Sequence, residues 1–192
     1  YGAYDIYENK HGVLLLGCWA HIRRKFEHAL ADDPERAEYA LKVIGQLYAI
    51  ERRVKEEGLP PDEIKAIREK DAYPLIREFE RWVEQSANSV TPQSALGKAV
   101  RYAYALYPRL SRYVTDGRYR IDNNLAENAV RPLALGRKNY LFCRSHEAAY
   151  HMAIIYSLLG TCRLWEIDPF RWLTDVFSRI QDCSVKHLEE LL

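Results

Sequence analysis

Methionine is almost missing from these 192 residues: Met152 stands alone, and the chain opens on Tyr1-Gly2-Ala3-Tyr4. That opening carries no initiator and no leader pattern, so the sequence reads as a piece of a longer protein. Long apolar runs are missing as well. The longest stretch free of formal charge, Ala148 to Cys162, is too short to span a bilayer and holds His151, Ser157, Gly160 and Thr161, which excludes a membrane-embedded protein. Cysteine is sparse. Cys18, Cys143, Cys162 and Cys183 are scattered through a chain long enough to fold without staples, so reduced thiols and a cytoplasmic location are expected. A charge excess is lacking: 28 basic against 27 acidic residues leave a net charge of +1, so any nucleic-acid surface must be local. Repeats and low-complexity tracts are absent. What is present, 48% hydrophobic and 29% charged residues, describes a soluble globular chain of one or two domains.

The patterning predicts a mainly α protein with at most one or two short strands. Val13 to Leu16, closed by Gly12 and Gly17, reads as a buried strand, being too short for a helix. Trp19, Ile22, Phe26 and Leu30 share one face of a helix whose other face holds Arg23, Arg24 and Lys25. Asp33-Pro34 reads as a cap and first-turn proline of a helix to about Glu57, with Tyr39, Val43, Leu47 and Ile50 as its stripe. Gly58-Leu59-Pro60-Pro61 breaks the pattern. Pro74 starts a helix over about Ala72 to Ser86. Thr91-Pro92 caps another to about Leu106, which Tyr107-Pro108 interrupts. Asn123 or Asn124 caps a short helix from Leu125 to about Arg131 that Pro132 helps to stop. Leu133 to Arg144 reads as irregular and basic. Ser145 caps a nearly all-apolar helix through Leu164, which must be buried on several sides. Asp168-Pro169 caps a further helix through Ile180, and Ser184 opens a last short one.

The densest polar constellation is Asp122-Asn123-Asn124-Leu125-Ala126-Glu127-Asn128-Ala129-Val130-Arg131-Pro132. Its ordinary reading is a capped helix with a first-turn acid and an i,i+4 ion pair. The flank favours more. Arg131, Arg137, Lys138 and Arg144 come with no acid between them, beside Tyr140 and Phe142. A carboxylate next to such a strip suits a metal ligand facing a nucleic-acid backbone.

These residues resemble a known family. Asp122-Asn-Asn-x-x-Glu127-Asn-x-x-Arg131-Pro132 with Gly136-Arg-Lys-Asn-Tyr-Leu-Phe142, Cys18-Trp-Ala-His21-Ile-Arg-Arg-Lys-Phe26, and the closing Asp168-Pro169 helix are similar to the transposases of the insertion sequence 66 family. The opening Tyr1-x-x-Tyr4 resembles the segment that follows that family's second catalytic Asp. Gly-Ser and Gly-Ala pairs usual in the family are replaced here by Arg144-Ser145 and Ala148-Ala149.

The resemblance implies a ribonuclease-H-like catalytic domain with an Asp, Asp, Glu triad, of which Glu127 is the Glu and both Asp lie upstream. Three such carboxylates hold two Mg²⁺ ions roughly 3.5–4 Å apart for DNA cleavage and strand transfer. Glu127 alone cannot assemble that pair. The family pattern divides the chain into part of the core (residues 1–26), a helical insertion (27–115) and the C-terminal part of the core (116–192). Arg131, Arg137, Lys138, Arg23 and Arg24 become candidate DNA contacts. Cys18, His21, Asn123, Asn124 and Asn128 fall beside the active site.

Cys18-x-x-His21 and Cys143-x-x-His146 together have the makeup of a Cys₂His₂ zinc site, a reading disfavoured because the second pair lies where the family varies. DNA is the expected partner, with self-association open. Two functional classes follow: a fragment of a transposase, inactive by itself, or a non-catalytic helical DNA-binding or assembly module.

Overall fold

A computed structural model describes residues 2–8, 10 and 12–191, so Tyr1 of the opening motif lies outside the described residues. The elements are helical, and no strand occurs among the described residues. The mainly α class is therefore correct. The eight α-helices among the described residues are α1 (Trp19–Ala29), α2 (Pro34–Glu56), α3 (Pro61–Ile67), α4 (Tyr73–Ala87), α5 (Ala95–Leu110), α6 (Asn124–Tyr140), α7 (His146–Leu164) and α8 (Pro169–Arg179). Shorter 3₁₀ segments cover Gly2–Tyr7, Ser111–Thr115 and Val185–Leu191, and one π turn, Arg68–Ala72, links α3 to α4. No helix of the described residues is long and apolar enough to cross a membrane. The chain divides into two compact units, residues 1–124 and 125–192.

The first unit packs α1, α2, α4 and α5 around one core. Its centre is aromatic. Trp19 and Phe79 lie 5.4 Å apart by ring centroids, Phe26 and Trp82 5.8 Å, and Tyr39 and Trp82 5.1 Å, all tilted. Tilted contacts of this kind stabilise beyond the area they bury. The predicted stripe of α1 is the buried face: Trp19, Ile22 and Phe26 are fully covered. Asp33 caps α2 as expected, accepting from the Arg36 N–H at 3.1 Å, with Pro34 in the first turn.

The π turn begins at Arg68, which lies in the interior, 3% exposed. There its guanidinium forms a fork with Glu51 (2.9 and 2.6 Å) and donates to the carbonyls of Tyr113 (3.1 Å) and Asp116 (2.9 Å). Gly117 lies so close to Pro61 that a Cβ there would collide with the Pro61 carbonyl, which ties the end of the 3₁₀ segment to the start of α3.

Three local expectations are corrected. Val13 to Leu16 is an extended connection and not a strand. Its polar groups are taken up elsewhere: Arg112 donates to the Leu15 carbonyl at 2.7 Å, and Gly17 N–H donates to Arg109 O at 2.9 Å. With those groups satisfied by the end of α5 and the 3₁₀ segment after it, no second strand is needed. The cap of α5 is Ser94 and not Thr91, with Ser94 Oγ accepting from Gly97 N–H at 3.0 Å. The helix also runs through Pro108 to Leu110. The carbonyl that Pro108 leaves without its intrahelical donor is that of Tyr104, on the exposed face where water can serve it.

The second unit contains α6, α7, α8 and the last 3₁₀ segment. Ser145 caps α7 (Ala148 N–H to Oγ, 3.1 Å) and Asp168 caps α8 (Phe170 N–H to Oδ1, 2.9 Å), both as the sequence predicts. The expected burial of α7 on several sides is not found: Cys162 is its one buried residue, while Tyr150, Ile154, Ile155 and Leu164 are exposed. A helix apolar on every side needs neighbours on every side; α7 packs with α8 and meets α6 through the Tyr140 and Tyr156 hydroxyls, 3.4 Å apart.

Breaking the Glu51–Arg68 pair should be costly, because it strands a buried cation. Glu51→Ala is expected to destabilise the first unit by about 3 kcal/mol, read from urea denaturation. A second prediction concerns acid. Hydrogen bonds from the Arg36 side chain and backbone hold the Asp33 carboxyl below its usual range. A depressed folded-state value means that the stabilisation is present above the unfolded-state pKa of about 3.9 and is lost as pH falls through the lowered one. Asp33→Asn should therefore narrow the stability difference between pH 6 and pH 3, as measured by thermal melts.

Candidate functional site

Two motifs that lie about a hundred positions apart in sequence meet in the first unit. Cys18 precedes α1 in an extended conformation, and the next residue makes the join: Trp19 N–H donates to the carbonyl of Ile121 at 3.1 Å. The Trp19 indole N–H donates to Leu110 O, also at 3.1 Å and buried. Two residues past Ile121, Asn123 N–H donates to Cys18 Sγ at 3.4 Å. Gly17 lies against Leu110, and a Cβ there would come within 2.9 Å of the Leu110 backbone nitrogen, so this approach requires glycine. The motif around Cys18 is thereby bonded to the start of the Asp122-Asn123-Asn124 run.

Asp122 organises that run. Its Oδ1 accepts from the Asn124 N–H at 3.1 Å, and its Oδ2 accepts from Asn124 Nδ2 and from the Tyr48 hydroxyl, each at 2.9 Å. The carboxylate at the entry of α6 is thus Asp122, where the sequence pointed to an asparagine side chain. A negative charge there suits the unpaired N–H groups of a helix start. Tyr48 reaches it from α2, and burial first, then the bond to Asp122, raises the phenol pKa strongly, so the hydroxyl stays a donor. Neither Tyr48 nor Asp122 stood among the sequence-derived site residues. Asp122 was visible within the motif. Tyr48 carries no local signal, because its hydroxyl acquires a role only when α2 is brought beside residue 122.

Glu127 lies in the first turn of α6, and its side chain is exposed. The helix does not stop at Pro132; it continues to Tyr140, which corrects the expected irregular segment from Leu133 onward. The Asn128 carbonyl that Pro132 leaves unserved belongs to an exposed residue and is open to water. The helix ends at Leu141, whose φ of 58° places it in the left-handed region, with its N–H donating to Arg137 O at 2.9 Å.

The continuation matters for the basic strip. At about 100° per residue, Arg131 and Lys138 fall within about 40° of Glu127 around the helix, Lys138 about 16 Å along it, while Arg137 is turned about 80° away. Arg131, Arg137, Lys138 and Asn128 are exposed. Arg24 is exposed on α1, and Arg23 is paired with Glu27 at 2.9 Å on the same exposed face. Lys25 lies over the Tyr102 ring at 5.4 Å. His21 is half-buried in the first turns of α1, and the Cys18 thiol accepts the bond from Asn123 described above.

The metal pair implied by the family pattern needs more than this. Among the described residues, no three His, Cys, Asp or Glu side chains converge on one point. Asp122, the acid nearest to Glu127 in sequence, has both oxygens committed to Tyr48 and Asn124. The donor set is incomplete within these residues, and no metal-dependent step can be written from them alone. Cys143, in the second unit, has its thiol 3.9 Å from the Met152 sulfur.

The fold and motif geometry define a helical region that presents one motif carboxylate, in line with basic side chains, on a helix tied at its start to a second motif. Comparison with known proteins gives that class a family. The family described as "Transposase IS66 family" matches residues 1–151, and the IS66 C-terminal element matches residues 157–192. The chain belongs to the IS66 transposase family.

Among its relatives in Sinorhizobium fredii are the uncharacterized protein y4hP, 34% identical over 91% of this chain and 34% of its own length, and y4jD, 31% identical over 96% and 36%. A third, y4qI, is 33% identical over 94% of this chain and 33% of its own. The chain spans about one third of the length of these relatives. No solved structure matches.

Proposed function

We propose that this region supplies the Glu of the metal-binding triad in an insertion-sequence transposase, with Glu127 as that residue. The observation that carries the reading is its placement: Glu127 sits in the first turn of a helix whose entry is bonded to the Cys18-Trp19 motif, and the family's match covers both motifs. In this reading residues 1–26 and 116–192 belong to a ribonuclease-H-like core and residues 27–115 to a helical insertion. The two Asp come from elsewhere in the longer protein. When bound there, paired Mg²⁺ ions would activate water or a DNA 3′-hydroxyl and stabilise the leaving oxygen.

The chain's own residues act beside that chemistry. Glu127 offers a carboxylate at a helix start. Arg131 and Lys138, on its side of α6, meet the DNA backbone electrostatically. Arg137 and Arg24 are further candidate contacts, and Arg23 is a weaker one because Glu27 already neutralises it. Cytoplasmic DNA, transposon end and target, is the partner.

The deciding experiment uses a family protein of the relatives' full length that carries this region. Glu127→Gln is expected to abolish Mg²⁺-dependent strand cleavage while leaving the affinity for DNA within about twofold. Retained cleavage would remove Glu127 from the site. The 192-residue chain by itself is expected to cleave nothing; Mg²⁺-dependent cleavage by the purified chain would contradict the incomplete donor set. For the strip, Lys138→Ala and Arg131→Ala should each weaken DNA binding at all sequences and reduce the salt-dependence slope by about 1. Arg23→Ala should leave that slope nearly unchanged.

A further inference from the structure

The entry of α6 is held by a contact that nothing in the motif itself supplies. Tyr48 lies on α2, separated from Asp122 by 74 positions, yet its hydroxyl donates to Asp122 Oδ2 at 2.9 Å in partly buried surroundings. The same carboxylate receives the backbone N–H and side-chain amide of Asn124, the first residue of α6. Glu127 is the fourth residue of that helix. We propose that Tyr48 is a positioning residue for the family's reaction: by orienting Asp122 it holds Asn124 and so the start of α6, the helix in whose first turn Glu127 lies. The proposal rests on the reading of Glu127 as the triad's Glu.

Three features support a positioning role over simple packing. A phenylalanine at residue 48 would fill the same space against the core, so the hydroxyl is what needs explaining. Burial and the bond to Asp122 keep that hydroxyl protonated, which makes it a steady donor. The Asp122 carboxylate, facing N–H groups at the helix start, has two oxygens and freedom to rotate; the Tyr48 bond pins Oδ2 and leaves Oδ1 on the Asn124 N–H. A second anchor, Asn123 N–H on Cys18 Sγ, holds the residue between them. A misplacement of about 1 Å at a reacting group can cost on the order of a hundredfold in rate, so a contact at the base of the helix has leverage on catalysis.

The test is a double-mutant cycle of Tyr48→Phe and Asp122→Asn, read in two ways. In the 192-residue chain, amide exchange of Asn124 should speed up by about tenfold in Y48F, while the amides of Ile44 and Leu47 in α2 keep their protection. In a full-length family protein, each single variant should lower the cleavage rate by about tenfold with DNA affinity unchanged. The double variant should be no slower than the worse single, because both act through one contact.

Multiplying effects would overturn the proposal, as would unchanged Asn124 exchange and cleavage in Y48F while E127Q is inactive. Cleavage retained by E127Q overturns the reading of Glu127 and with it the catalytic part of the proposal. The Asn124 exchange result would then still decide whether Tyr48 holds the helix start.

Discussion

Trp19 donates both of its N–H groups to distant chain, the indole to Leu110 and the backbone to Ile121, while its ring packs on Phe79 at the centre of the aromatic core. These bonds hold the start of α1, the end of α5 and the residues before α6 within hydrogen-bonding distance of one another. The indole is fully buried, so its N–H must find an acceptor, and the Leu110 carbonyl at the end of α5 is in place to accept it. Gly17 lets the two backbones approach, and the turn Cys18–Trp19 then sits where its own polar atoms meet residues 121 and 123. The two motifs are coupled because they share a core residue, and the polar contacts around Asp122 follow from that coupling.

A carboxylate on an exposed helix end is ordinarily mobile. Here Asn124, the first residue of the helix that carries Glu127, is bonded to Asp122, and Asp122 also accepts from Tyr48. The rest of α6 is exposed and passes through a proline, so its ordering comes from its ends and its own ladder and not from burial. Along that helix Glu127, Arg131 and Lys138 fall on one side.

The second unit shows the other side of the same economy. Its helices are well capped, yet large apolar residues such as Leu141, Phe142, Trp165 and Phe170 remain exposed, and α7 buries little more than Cys162. The first unit, by contrast, has a closed core with its own buried ion pair, Arg68 with Glu51. The chain spans about a third of its relatives' length.

Local chemistry determined much of this protein in advance. The buried face of α1, the Asp33-Pro34 start of α2, the caps Ser145 and Asp168, and the carboxylate Glu127 with its basic neighbours could all be read from spacing, because each depends on residues within a few positions of one another. The family pattern was legible for the same reason, being carried by short contiguous motifs. Elsewhere local signals misled. Prolines 108 and 132 look like helix ends, but exposed carbonyls at Tyr104 and Asn128 let both helices continue, and exposure is a tertiary property. Val13 to Leu16 has the composition of a strand, but Arg112, from the 3₁₀ segment after α5, takes up its Leu15 carbonyl. Tyr48 is one tyrosine among fourteen in the sequence. Only the packing of α2 beside residue 122 turns its hydroxyl into the support of a helix, since a hydrogen bond between residues so far apart exists only once the core around Trp19 has formed.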